Sequence, residues 1–180
     1  MDSQPFPARD GCIELGRRCL AFTRLLTPET YAFTNSPDDS IGAHLRHCLD
    51  FIVCFLRGLE KGVVDYDRRD RDSRIASDPE AFRVALSRAL ESLGRLERSQ
   101  AERPLRVRMT ADSAGAQSNC SSSVERELIF LAGHSLHHLA IVRLLAESRG
   151  VLVSGDLTTA FSTALHRKQM AAAESEPVDV

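Results

Sequence analysis

The chain has 180 residues, with 23 Lys and Arg against 25 Asp and Glu and a formal net charge of −2. That length fits one domain with a sizeable core, expected over residues 1–170 and followed by a disordered acidic tail at 171–180. The charge balance offers no global attraction for nucleic acid or an anionic membrane.

The five cysteines, Cys12, Cys19, Cys48, Cys54 and Cys120, are odd in number and contain no C-x-x-C pair. Neither a disulfide framework nor a zinc ribbon is expected. Cys19, Cys48 and Cys54 sit in apolar periodic surroundings and read as small buried thiols rather than reactive nucleophiles. The first 30 residues are repeatedly charged, with no apolar signal region. No apolar run approaches the roughly 20 residues that span a bilayer, so the expected location is cytoplasmic.

Cys12, Leu15, Cys19, Phe22 and Leu26 step by three and four, the stripe of an amphipathic first helix over about 9–26. Pro28 punctuates its end, and a polar connection runs to Asp39. Ser40 is a good N-cap for a second helix, whose face comprises Ile41, Leu45, Cys48, Leu49, Ile52, Phe55, Leu56 and Leu59. Gly58 and Gly62 mark its end. Residues 63–77 alternate acid and base and read as a salt-bridged crossover. Asp78-Pro79-Glu80 starts a third helix as cap, Pro at N1 and acidic first turn, and that helix runs to about Arg98. Pro104 to Thr110 alternates like a short strand. Ala111 to Ser123 is rich in Ser, Ala and Gly and reads as a mobile loop. A fourth helix is expected over about 122–148 with Gly150 as cap, and a short fifth from Leu157 to Met170. Four long helices with two long joins predict an all-α fold, an antiparallel four-helix bundle with long crossover connections.

Five of the six histidines fall in two clusters: His44 and His47 early in the second helix, and His134, His137 and His138 in the fourth. His134 and His138 are four apart, so their imidazoles share one helix face. A divalent metal is the partner that suits such a pair on an inward edge, and facing helices of a bundle are where metal sites are built. Ordinary core or surface histidines are the plain alternative. On periodicity, His44 lies nearer the apolar centre of its helix and His47 on its flank, which leaves either as a third ligand.

The segments Ser40-Ile-Gly-Ala-His44-Leu-Arg-His47-Cys-Leu-Asp50, Asp65 to Arg71, Arg126-Glu127-Leu128 and His134-Ser-Leu-His137-His138-Leu-Ala140 resemble the DinB-like (damage-inducible) superfamily of metal-binding four-helix bundles. That superfamily includes the YfiT-like metal-dependent hydrolases and thiol transferases. The resemblance spans roughly residues 10–165, in order. His47, seven residues after Ser40 and three before Asp50, matches one family motif, and His134 and His138 match its late H-x-x-x-H. The implied metal ligands are therefore His47, His134 and His138. The implied cofactor is a divalent ion, Zn, Ni or Fe. The chain departs from the pattern at Phe51, where another His often stands, and around Leu157 to Phe161.

His44 and His137 remain as outer-shell or surface residues. Glu127 reads as a helix-to-helix salt bridge, with Arg46 or a ligand imidazole as other partners. The Tyr66 to Arg71 segment reads either as a crossover knitted by ion pairs or as a cover offering Arg to an anionic substrate. The function expected from the resemblance is metal-dependent thiol transfer or hydrolysis, with a small-molecule substrate such as a low-molecular-weight thiol as the partner. The alternative is a non-catalytic metal-binding or stress-response bundle. No catalytic side chain beyond the metal ligands stands out. Neither nucleic acid nor a membrane is an expected partner; a homodimer is.

Overall fold

The computed structural model describes residues 4–34 and 39–175. The fold is mostly helical, with a small three-stranded sheet at one side. Four long helices, α1 (Pro7–Thr23), α3 (Ile41–Lys61), α5 (Pro79–Gly94) and α6 (Val124–Glu147), surround one core. α1 packs on α5 and α6, and α3 packs on the same two. α2 (Pro28–Ala32), α4 (Ser73–Ser77) and α7 (Phe161–Ser175) are the other α-helices among the described residues; α7 takes in residues 171–175, which were expected in the disordered tail, and 176–180 lie outside the described residues.

Local signals account for the long helices. Pro7 opens α1, and Cys12, Leu15, Cys19 and Phe22 are buried as the stripe requires. The Ser40 side chain accepts from the Ala43 N–H at 2.9 Å, and Gly62 ends α3 in the left-handed region at φ 69°. Asp78 accepts from the N–H groups of Glu80 and Ala81 at 2.8 and 3.2 Å to start α5. α5 stops at Gly94 rather than near Arg98, which instead opens a short 3-10 turn at Arg98–Gln100.

The sheet corrects the purely helical expectation. β1 (Val63–Asp65) runs parallel to β2 (Pro104–Thr110), and β2 pairs antiparallel with β3 (Gln117–Ser123). β2 is the strand that its alternation predicts. β3 replaces the expected mobile loop, and β1 sits inside the expected charged crossover. Neither carries an apolar period of its own, so their pairing rests on backbone bonds to β2. α2 and α4 also arise in stretches expected as connections. Tyr31 of α2 is fully buried and donates to the Ile75 carbonyl of α4 at 2.8 Å. Gly42 permits this packing, because a Cβ there would meet the Ala76 carbonyl oxygen at 2.0 Å.

α6 has an 18-residue window of mean hydropathy 1.5, enough by length and composition to cross a bilayer, although no unbroken apolar run reaches that length. A core helix meets the same measure. Here 28 % of that window is buried: Leu128, Leu131, Leu139 and Val142 face the core, beside α1 and α3, and most of the rest of the helix is half-buried or exposed.

The sheet matters because it ties down two segments that reach the histidines. β1 leads directly into Tyr66, and β3 runs into α6 through Ser123, whose side chain accepts from the Arg126 N–H at 3.3 Å.

Candidate metal centre

α3 and α6 face each other across the core. Their buried stripes, Leu45, Leu49 and Ile52 on one and Leu128, Leu131 and Leu139 on the other, turn the adjoining histidines toward a shared edge. His47, His134 and His138 meet there, with one nitrogen from each lying within 4.8 Å of the others. Their ring centroids are 5.0 Å (His47–His134), 4.5 Å (His47–His138) and 4.7 Å (His134–His138) apart. Three imidazoles on a tetrahedral ion at about 2.0–2.1 Å need nitrogens about 3.3 Å apart, so modest ring rotation suffices. His134 Nε2 is buried and has no hydrogen-bond partner, so the fold leaves that donor atom unused by other side chains. The donor set therefore could hold a metal ion, and the structure brings together His47, His134 and His138, the residues that the resemblance implied.

The outer contacts decide the role of His44. Its Nδ1 is 3.0 Å from His138 Nδ1. One of these nitrogens must donate and the other accept. If His138 donates, its Nε2 lone pair is free for a metal, and His44 then carries its own proton on Nε2. That nitrogen lies 3.9 Å from Asp39 Oδ1. In that tautomer His44 is the acceptor that orients the His138 ring, with the Asp39 carboxylate behind it. At 3.9 Å the Asp39 contact is a charge interaction rather than a hydrogen bond, consistent with His44 Nε2 having no bonded partner. His137 is exposed, with its ring edge-on to His138 at 5.1 Å.

Electrostatics keep the cluster neutral. Burial, then the charges of His138, His134, Arg69 and Arg46, lower the His47 pKa to about 3. Burial, then His134, His44 and His137, lower His138 to about 4. His134 is lowered by burial, His137 and Arg69. His44 is lowered chiefly by burial, against the attraction of Asp39. Neutral imidazole is the form that binds a metal.

Aromatic rings wall one side. Phe51 stacks on His134 at 4.2 Å and on Tyr66 at 4.9 Å. Phe130 lies 5.7 Å from His134. The Tyr66 to Arg71 segment divides between its two readings. Asp70 ion-pairs with Arg57 at 2.6 Å, while Arg69 reaches the cluster, with Nη1 3.0 Å from His47 Nδ1 and its guanidinium over the Phe51 ring. Arg69 had no individual signal in a run of alternating charge.

Glu127 behaves differently from expectation. It is 2 % exposed and contacts neither Arg46 nor a histidine. It accepts from Tyr66 Oη at 2.7 Å and Ser122 Oγ at 2.5 Å, with Arg126 at 3.5 Å. It pins α6 to the end of β3 and to the segment carrying Arg69. Arg46 instead pairs with buried Asp50 at 2.9 Å; burial raises the Asp50 pKa, and Arg46 opposes that rise. Cys12, Cys19, Cys48 and Cys54 are buried as expected. Burial pushes Cys12 and Cys19 to about 12 and raises Cys48 and Cys54, which excludes thiolates there at neutral pH.

No family model matches the chain, and no solved structure matches it. One curated protein, FK506-binding protein 5 of Rhizopus delemar, is 27 % identical over 108 residues, covering 59 % of this chain and 28 % of its own length. The chain therefore spans less than a third of that relative.

Proposed function

We propose that this chain is a DinB-like four-helix bundle, built on α1, α3, α5 and α6, that holds one divalent metal through His47, His134 and His138 and acts as a metal-dependent thiol transferase or hydrolase. The observation that carries the reading is the convergence of three neutral imidazoles with a fourth, His44, set to fix the tautomer of one of them. Three protein ligands leave a coordination position open, where a bound metal lowers the pKa of a water or thiol and so supplies the nucleophile. The protein's own part is orientation and shelter. His44 holds the His138 ring, the Phe51 and Phe130 rings cover one flank, and among the described residues no carboxylate joins the three histidines as a candidate base. Thiol transfer suits that arrangement, because a bound metal would supply the acidity that a separate base otherwise provides.

Non-catalytic metal binding is the second reading. What favours it is that surface clefts of about 400, 160 and 210 Å³ among the described residues are lined by residues other than the three histidines. The cleft of about 160 Å³ shares only Tyr66 and Phe130 with the aromatic flank. In either reading the chain works in the cytosol, without nucleic acid or membrane as partner, and as a homodimer. The dimer is supported by a stripe along one face of α6, Ile129, Gly133, Ala140 and Leu144, that is exposed to solvent.

The test is metal content of tag-free protein, followed by turnover of an electrophilic dye with a panel of low-molecular-weight thiols. Near one equivalent of metal is expected, lost in His134→Ala. Unchanged metal content in both His134→Ala and His138→Ala would remove the site. Full metal occupancy with no rate above the apo control for any thiol or hydrolysable ester would leave the binding reading.

A further inference from the structure

The contact between Arg69 and His47 has a consequence for any metal-loaded state. A guanidinium nitrogen only donates, so His47 Nδ1 must accept across the 3.0 Å contact. A neutral His47 in that contact carries its proton on Nε2. Neither ring nitrogen is then free for a metal. If the metal were to use Nε2, the proton would move to Nδ1 and two donors would face each other. If it were to use Nδ1, the lone pair that Arg69 occupies would be taken. Whichever nitrogen binds, the Arg69–His47 hydrogen bond and His47 coordination exclude one another.

Arg69 then needs another partner. It is partly buried, its Nε has no hydrogen-bond partner, and its plane rests on Phe51 at 5.3 Å. The two carboxylates whose charge reaches it are held elsewhere. Asp50 is bonded to Arg46 at 2.9 Å. Asp67 accepts from the Thr110 N–H and hydroxyl at 2.6 and 2.9 Å. Among the described residues Arg69 has no ion pair. The segment that carries it is fixed on both sides, by Tyr66 on Glu127 and by Asp70 on Arg57, so the guanidinium stays beside the cluster after leaving His47. A partly buried, unpaired guanidinium on an aromatic face beside an open coordination position is a receptor for a carboxylate-sized anion.

We infer that Arg69 exchanges His47 for an anionic group of the substrate when the site is loaded, so that the substrate class is a small anion and anion binding depends on metal. The inference rests on the metal reading proposed above.

The test uses the full chain, Co²⁺ as a spectroscopic metal and acetate as the probe anion. In the wild type, Co²⁺ should bind, and acetate should perturb its visible spectrum saturably. In Arg69→Met, which keeps an apolar stem over Phe51, Co²⁺ should bind about ten-fold more tightly, because no contact to a cation has to be given up. Acetate should bind that variant about ten-fold more weakly, the loss of a charge-assisted hydrogen bond. Arg69→Lys should fall between, and it carries the same comparison if the methionine variant does not fold. Equal acetate affinity in wild type and variant, or weaker Co²⁺ binding in Arg69→Met, overturns the inference while leaving the metal site standing. Failure of the wild type to bind Co²⁺ overturns both.

Discussion

Replacing His44 with Leu separates a ligand from a residue that positions a ligand. The substitution keeps the side-chain volume roughly and removes the acceptor for His138 Nδ1, 3.0 Å away. His44 is well shielded at 15 % side-chain exposure, so water replaces that acceptor only in part. Loss of an outer partner of this kind costs about 10–100-fold in metal affinity. Behind His44 stands Asp39, 3.9 Å away and 60 % exposed, where solvent screens the charge. The expected loss therefore lies at the lower end, about ten-fold, or about 1.4 kcal/mol. Competition for Zn²⁺ with a chromophoric chelator at pH 7.5 reads this directly, with circular dichroism confirming the fold. His47→Ala and His134→Ala should lose far more than His44→Leu, since each removes a nitrogen from the ion. Wild-type affinity in His44→Leu would refute the positioning role of His44. A loss as large as that of His134→Ala would make His44 itself a ligand and refute the assignment of His47.

Three further outcomes follow from the same geometry. His47 and His138 have folded-state pKa values of about 3 and about 4, below the ordinary value of 6.5, so between these limits the unfolded chain binds more protons. Stability of the metal-free protein should accordingly fall as pH drops from 7 toward 4, seen as a falling urea midpoint, and His138→Asn should flatten that slope; a midpoint independent of pH would count against neutral buried imidazoles. Tyr66→Phe leaves the Glu127 carboxylate short of one partner in a site 2 % exposed and should cost about 1.5–3 kcal/mol in chemical denaturation, whereas a cost under about 0.5 kcal/mol would mean that Ser122 and Arg126 suffice. Leu144→Glu on the exposed face of α6, where Leu144 is 68 % exposed, should convert a dimer to a monomer in light scattering without loss of helix, and a wild-type chain already monomeric at high concentration would remove the dimer.

Much of the helical framework was legible because its determinants are local. The Cys12, Leu15, Cys19, Phe22 stripe, the Ser40 cap, Gly62 and the Asp78-Pro79 start each act within one or two turns, and the structure places α1, α3 and α5 on them. The sheet was legible only at β2, the strand with an alternating pattern. β3, Gln-Ser-Asn-Cys-Ser-Ser-Ser, is a strand because β2 offers it backbone partners, and no side-chain period records that.

The i,i+4 pair His134 and His138 was fixed by the sequence, since helical geometry alone puts both rings on one face. Which histidine of α3 completes the cluster was not. That depends on how α3 crosses α6, and the crossing puts His47 within reach of both rings while setting His44 behind His138. Only the tertiary structure could bring Arg69 to His47, 22 residues apart, or give Glu127 a tyrosine and a serine instead of Arg46. These are contacts between segments whose own sequences carry no preference for each other. They are decided by where the backbone pairing of β1 and β3 with β2 leaves the crossover segment and the start of α6.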